Sequence, residues 1–241
     1  MLDRPGLAHQ AGFDGIEVLF PYDWPTKDWE AALAGLPVAL VNAPPGDWVA
    51  GDRGFAAVTD GVGRFQDSFL RAAEFASRVK AGRVHVMAGV AKGPQAEQTY
   101  VENLAWAVAQ APDLKIVIEP LNVDDMPGYF LNDFDQAGRI LEDLALPNLG
   151  LQFDLWHAAR IHGDAEAVWN RHQAKISHVQ IAGFPARNEP GGGGFDLTRL
   201  CTRLDEAGYD GWIGAEYRPS RATVHGLMWL NALKSRSQKI G

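Results

Sequence analysis

The sequence predicts an α/β fold in which short parallel strands alternate with helices and curve into a barrel. Seven short β-rich segments recur along the chain, separated by stretches in which apolar residues have helical spacing. Such strand–helix–strand units form right-handed crossovers, so the strands run parallel and the helices cover the sheet. No glycine-rich dinucleotide motif follows the first strand, and polar residues end many different strands. Both features favour a closed barrel over an open sheet.

Turn and helix-stop residues bound the predicted elements. In chain order the strands are DGIEVLF at 14–20, PVALVNAP at 37–44, RVHVMAG at 83–89, KIVIEPLN at 115–122, LGLQFDLWH at 149–157, ISHVQIAG at 176–183 and WIGAEYRP at 212–219. Helices are predicted at 5–11, 65–81, 100–111 and 134–145, among others, and Ala-Gly pairs end several of them. Because a helix precedes the first strand, we expect an eight-stranded barrel that lacks its first strand in this chain. The glycine run at 191–194 predicts a mobile loop.

Composition limits the classes of partner. The chain has 241 residues, with 30 acidic against 22 basic side chains and a net charge of −8. This charge opposes binding to nucleic acid or to an anionic membrane, and no apolar run is long enough to span a bilayer. The only cysteine, Cys201, excludes an internal disulfide. We therefore expect one domain, residues 1–241, in the cytoplasm, with a small-molecule substrate and exposed sheet edges that a homo-oligomer could cover.

Polar side chains lie at the carboxyl ends of most predicted strands, and a parallel barrel gathers these ends at one mouth. They are Asn42, His85, Glu119, Asn122, Asp154, His157, His178, Gln180 and Glu216. Three carboxylates in one mouth repel each other unless a cation lies between them, and Mg²⁺ and Mn²⁺ prefer carboxylate and amide oxygens. The sequence therefore predicts an Mg²⁺ or Mn²⁺ site formed by the oxygen-bearing set Glu119, Asp154, Gln180 and Glu216.

Structural alternatives remain open for these acids. Glu119 and Glu216 could form ordinary ion pairs with Arg187 or Arg218. Gln180 could satisfy a backbone group. Asp154 could cap the helix that follows its strand. Glu17 lies in the middle of the first strand and precedes three apolar residues, so we expect it to have a structural role only.

Further residues are predicted to act beside the metal ligands. His157 follows Asp154 by three positions, where it could hydrogen-bond a substrate oxygen. His178 lies two positions before Gln180 on the same strand face, where it could hold that ligand in place. Arg187 could clamp a substrate carboxylate through two hydrogen bonds. Two other strand-end side chains complete the predicted substrate site, Asn42 and His85.

Six segments together resemble the hydroxypyruvate isomerase family, within the xylose-isomerase-like TIM barrels: FPYDW, VNAPPGDWVAGDRG, IEPLN, FDLWH, HVQIAGFPARNEPG and GAEYRP. The resemblance runs from about Leu2 to the last helix. It implies a (β/α)₈ TIM barrel, a divalent metal, and aldose–ketose isomerisation of small hydroxy-keto acids. By motif position it assigns metal binding to Glu119, Asp154, Gln180 and Glu216, the acid and base to the two glutamates, and substrate contacts to His157 and Arg187. Members of this family begin with a strand that this chain lacks.

The implied reaction converts hydroxypyruvate to tartronate semialdehyde through an enediolate. A four-carbon 2-oxo acid or a free ketose is the alternative substrate for the same site. From another class, the chain could be a non-catalytic binding protein whose incomplete barrel pairs with a partner. A DNA-repair nuclease shares this type of barrel, but it needs more histidine ligands and a basic groove, and the charge of −8 opposes it.

Overall fold

The computed structural model describes residues 1–191, 196–234 and 239–240 of the chain. Residues 192–194 of the predicted glycine loop lie outside the described residues. Parallel strands follow each other in chain order through one sheet. The strands are β1 (Ile16–Val18), β2 (Val38–Asn42), β3 (Arg83–His85), β4 (Lys115–Ile118), β5 (Leu149–Asp154), β6 (Ile176–Ile181), β7 (Trp212–Ala215) and β8 (Lys239–Ile240). The predicted barrel type and its seven strands are confirmed.

Helices connect the strands and cover the outside of the sheet. They are α1 (Arg4–Ala11), α2 (Thr26–Leu33), α3 (Val62–Val79), α4 (Pro94–Gln110), α5 (Phe134–Leu144), α6 (Leu155–His162), α7 (Ala165–His172), α8 (Leu197–Glu206) and α9 (Met228–Lys234). Within the described part of the chain, no helix is both long enough and apolar enough to cross a membrane.

Burial follows from the two periodicities in the sequence. Every residue of β2 and of β5 is buried, as expected for parallel strands with helices on one side and the barrel interior on the other. On α3, by contrast, the buried residues Phe65, Phe69 and Ala72 recur every three or four positions. The apolar core therefore lies between the sheet and the helices, which leaves the barrel interior for polar side chains.

The eighth strand, β8, was not predicted. Its two residues pair with the start of β7, Trp212 with Lys239 and Ile213 with Ile240. Two residues are too few to show the alternation that marks a strand in a sequence. Strands β1 and β7 also approach each other across the barrel interior. A Cβ added to Gly214 of β7 would collide with the carboxylate of Glu17 on β1.

Candidate active site

Glu119 directly follows β4 and is only 4% exposed. Its Oε2 accepts a hydrogen bond from Gln152 Nε2 at 2.7 Å, whereas its buried Oε1 has no hydrogen-bond partner among the residues that the structure describes. Burial, with the negative charges of Glu216 and Asp154, raises the pKa of Glu119 well above its ordinary value. An uncompensated buried carboxylate is costly, so this position requires a compensating group.

Asp154 ends β5, is fully buried, and has a separate contact for each carboxylate oxygen. Its Oδ1 accepts from the backbone N–H groups of Trp156 at 2.7 Å and His157 at 3.4 Å, which caps α6. Its Oδ2 accepts from Arg187 Nη2 at 2.8 Å. Asp154 therefore caps α6 through Oδ1, which confirms the helix-cap alternative, whereas its Oδ2 faces Arg187.

Glu216 directly follows β7, and its Oε2 lies 3.2 Å from Arg187 Nη2. Burial raises the pKa of Glu216 to about 7, although Arg187 opposes this shift. Burial lowers the pKa of Arg187, but the charges of Asp154 and Glu216 outweigh burial and the net pKa lies above its usual value. The ion-pair alternative is therefore correct for Glu216, and one arginine serves two acids.

Backbone contacts hold Arg187 over the mouth of the barrel. Its carbonyl oxygen accepts from the backbone N–H of Arg218 at 2.7 Å, and its φ of +55° places it in the left-handed region. Trp156 Nε1 donates to the carbonyl oxygen of Pro185 at 3.0 Å, which fixes the same loop from α6. The Arg187 guanidinium also lies 4.8 Å from the centre of a Trp156 ring.

Gln180 lies on β6 and Gln152 on β5, and both are buried. Gln152 Nε2 donates to Gln180 Oε1 at 2.6 Å as well as to Glu119, so one amide joins two predicted ligands. Gln180 Nε2 donates to Glu17 Oε2 at 2.8 Å. Sequence reasoning missed Gln152, although a polar residue two positions before Asp154 in a buried strand was a usable signal.

His157 lies in the first turn of α6 and is buried and neutral. Its Nδ1 accepts from the backbone N–H of Asn122 at 3.0 Å, so the ring proton is on Nε2. Nε2 lies 3.9 Å from Asp154 Oδ2. Burial lowers the pKa of His157 to about 4, although Asp154 opposes this shift. His157 thus presents a neutral N–H donor next to the carboxylates.

Asn42 and His85 occupy paired positions at the ends of β2 and β3. Burial lowers the pKa of His85 to about 3, and His178 and His157 add to the shift. Within the described part of the chain, the two ring nitrogens of His85 and the Oδ1 atom of Asn42 have no hydrogen-bond partner. His85 Nδ1 lies 3.6 Å from Glu119 Oε2. The structure therefore places His85 beside Glu119 and Asn42 beside His85, and the contact of either residue with substrate stays a prediction.

The fold and this arrangement can be compared with known proteins. A family model described as the xylose isomerase-like TIM barrel matches residues 5–233. This chain belongs to that family.

Two curated members of the family match almost the whole chain. A 2-oxo-tetronate isomerase of Cupriavidus necator is 43% identical over 243 residues, which cover 98% of this chain and 94% of the relative. The hydroxypyruvate isomerase of Escherichia coli is 35% identical and covers 95% of this chain and 92% of the relative. Together they identify the chain as an isomerase and confirm the resemblance found in the sequence.

Solved structures show the same barrel. One described as an AP endonuclease, family 2, from Brucella melitensis has a TM-score of 0.92 and 36% identity, and it covers 96% of this chain and 92% of that chain. A D-allulose 3-epimerase from Methylomonas sp. has a TM-score of 0.75 at 18% identity, covering 99% of this chain and 84% of that chain. At such low identity the second structure is comparable in fold alone.

The donor set of this family member is compatible with a divalent cation. Ligand atoms of Glu119, Asp154 and His157 all lie within 4.8 Å of one another. The carboxylates of Glu119, Asp154 and Glu216 carry three negative charges when ionised, and Arg187 is the cation that pairs with two of them. A doubly charged ion would balance the remaining two negative charges. Glu119 Oε1, which has no hydrogen-bond partner among the described residues, could then bind the ion as a ligand.

Proposed function

We propose that this family member is a divalent-metal-dependent isomerase of small hydroxy-keto acids. Its reaction moves a carbonyl group between C2 and C3, so that hydroxypyruvate becomes tartronate semialdehyde through an enediolate. The observation that carries the proposal is the barrel mouth in which Asp154 and Glu216 share Arg187 while the buried Glu119 Oε1 has no hydrogen-bond partner among the described residues. The isomerase relatives support the reaction class.

We assign the metal to four oxygen-bearing side chains at successive strand ends: Glu119, Asp154, Gln180 and Glu216. Their carboxylate and amide oxygens suit Mg²⁺ or Mn²⁺. When bound, the ion supplies positive charge that stabilises the negative oxygens of the enediolate.

The proton transfers fall to Glu119 and Glu216. One glutamate removes the proton from C3 to give the enediolate, and the other, or the same one, returns a proton to C2. Both carboxylates have raised pKa values, and that of Glu216 is raised to about 7. These shifts belong to the metal-free protein; a bound cation would favour the ionised carboxylate, which is the form that accepts the C3 proton. His157 donates its Nε2 hydrogen to a substrate oxygen.

Arg187 is the substrate's carboxylate anchor in this proposal. Its guanidinium presents several N–H donors in a fork that matches a carboxylate. In the structure one nitrogen of that fork, Nη2, contacts both Asp154 and Glu216, so a substrate carboxylate would compete with these two acids for the guanidinium. Asn42 and His85 offer buried polar atoms without partners to the hydroxyl groups.

A four-carbon substrate is the second candidate. The identity of 43% to a 2-oxo-tetronate isomerase, against 35% to a hydroxypyruvate isomerase, favours it. A 2-oxo-tetronate differs from hydroxypyruvate by one CH₂OH group on C3, so the same carbonyl shift applies. A free ketose lacks the carboxylate for Arg187 and is the weaker candidate.

The test uses chelator-treated protein assayed with and without added Mg²⁺ or Mn²⁺. Hydroxypyruvate, a 2-oxo-tetronate and a free ketose are compared by kcat/KM, and deuterium uptake from D₂O reports proton exchange at the reacting carbon. We expect metal-dependent turnover and exchange with both 2-oxo acids, and the ratio of their kcat/KM values selects the substrate. Bound metal without exchange on any substrate would instead favour the non-catalytic binding protein.

A further inference from the structure

Glu17 on β1 connects two side chains of β6 that lie on the same strand face. Its Oε2 accepts from Gln180 Nε2 at 2.8 Å, and its Oε1 contacts His178 Nε2. The other ring nitrogen of His178, Nδ1, lies 2.9 Å from Arg83 Nη1. We propose that Arg83, His178 and Glu17 form a hydrogen-bonded chain that sets the orientation of the Gln180 amide. Glu17 is thus a positioning residue, and the inference rests on the proposed function because it takes Gln180 as a metal ligand.

The direction of each bond in this chain follows from what each group can donate. A guanidinium has only donors, so His178 Nδ1 must accept from Arg83. Because Nδ1 accepts this bond, the ring carries its proton on Nε2, the nitrogen that faces the Glu17 carboxylate. His178 therefore donates to Glu17. Arg83 fixes this tautomer from the opposite end of the imidazole ring.

The same reasoning fixes the amide of Gln180. The Glu17 carboxylate can only accept, so it selects the NH₂ group of Gln180 and turns the carbonyl oxygen away. That oxygen accepts from Gln152 Nε2, whose position is fixed in turn by the Glu119 carboxylate. Only the oxygen of an amide binds a hard divalent cation. A flipped Gln180 amide would direct its NH₂ group to the metal position.

The side chains of this hydrogen-bonded chain are buried away from water. His178 and Gln180 are fully buried, Arg83 is 5% exposed, and the Glu17 side chain is 9% exposed. Water therefore cannot replace a lost partner. Gly214 provides the space for the Glu17 carboxylate, since a Cβ at that position would meet it.

The first experiment measures Mn²⁺ affinity of the metal-free full chain by calorimetry for wild type, E17Q, Q180E and the double variant. The amide of E17Q has one oxygen and one NH₂ group to face two donors, the His178 Nε2 hydrogen and the Gln180 NH₂ group, so one hydrogen bond is lost. We expect the Mn²⁺ affinity to fall about tenfold, as for other residues that orient metal ligands. In the Q180E background two carboxylates face each other at positions 17 and 180. Adding E17Q supplies an NH₂ donor to the carboxylate at position 180 and leaves an oxygen to accept from His178, so the Mn²⁺ affinity should increase. Simple loss of a negative charge would weaken binding in both backgrounds, and that result would overturn the inference.

A second variant covers the case in which E17Q does not fold. G214A moves the end of the flexible Glu17 side chain without removing it, so we expect normal folding and weaker Mn²⁺ binding. E97Q, on the exposed surface, is the matched control and should bind as wild type does. Unchanged affinity in folded G214A and E17Q would refute the role of Glu17 while leaving the metal site intact. A wild type that binds no Mn²⁺ would remove the proposed function and this inference together.

Discussion

Acidic side chains occupy two contrasting settings in this molecule. On the helical surface they form ion pairs with basic side chains that are exposed to water. Glu30 accepts from Arg78 at 2.9 Å, with the arginine side chain 53% and the glutamate side chain 37% exposed. Pairs of this kind contribute little to stability because solvent screens both charges.

In the barrel mouth the acids outnumber their partner. Arg187 contacts both Asp154 and Glu216, the Asp154 side chain is only 1% exposed, and one oxygen of Glu119 has no hydrogen-bond partner in the described ranges of the chain. Buried charges of this kind are costly, so a protein retains them where they carry a function. The comparison shows that the balance of charge and burial, rather than the number of acids, distinguishes the site from the surface.

The largest expected effect concerns catalysis. E119Q and E216Q remove the proposed acid and base while keeping the shape of each side chain, so kcat should fall by about 10²–10⁴-fold. Steady-state kinetics with Mg²⁺ or Mn²⁺ measures the loss, and E97Q on the surface should retain wild-type turnover. Wild-type activity in both mouth variants would contradict the assignment.

Removal of the shared arginine is expected to have the next largest effect. R187M leaves the mouth acids without a cation, and loss of one partner from a buried ion pair costs about 3–5 kcal/mol. Urea denaturation at pH 8 in chelator should show this decrease in the free energy of unfolding, and Mg²⁺ should reverse much of it. A change below about 1 kcal/mol would mean that the mouth behaves like the surface.

The raised pKa of Glu216 predicts a pH dependence. Its value is raised to about 7 from 4.5, so between these pH values the folded state binds the proton more tightly than the unfolded state. The metal-free protein should therefore lose stability as the pH rises through this window, and the loss is complete above about pH 7. Denaturation curves of wild type and E216Q from pH 5 to pH 8 test this. The variant should lose less stability, whereas parallel curves would contradict the shift.

The smallest effect is expected on the surface. R78M breaks the exposed pair with Glu30 and should change the free energy of unfolding by less than about 1 kcal/mol. Turnover should not change. A loss as large as that in R187M would show that exposure does not separate the two settings.

Much of the fold was predictable because strand and helix periodicities are local. The seven strands predicted from segments of seven to nine residues, such as KIVIEPLN, are present, and Glu119, Asp154 and Glu216 lie at strand ends as expected. β8 was missed because Lys239–Ile240 becomes a strand only by pairing with β7. Its two residues carry no pattern of their own.

The site was predictable only in part, because contacts between distant strands depend on the stagger of the barrel. Glu17 was expected to be merely structural, yet its carboxylate contacts His178 and Gln180 more than 160 positions away. His178 was expected to hold a metal ligand in place, but the sequence did not indicate that its hydrogen bonds reach Glu17 and Arg83. No local property of a strand determines which residue of β1 faces β6 across the interior.

The most direct test is anomalous diffraction from crystals grown with Mn²⁺. The account predicts one anomalous peak coordinated by oxygens of Glu119, Asp154, Gln180 and Glu216, with Arg187 displaced from Asp154. No peak in the mouth, with Arg187 still between Asp154 and Glu216, would contradict it.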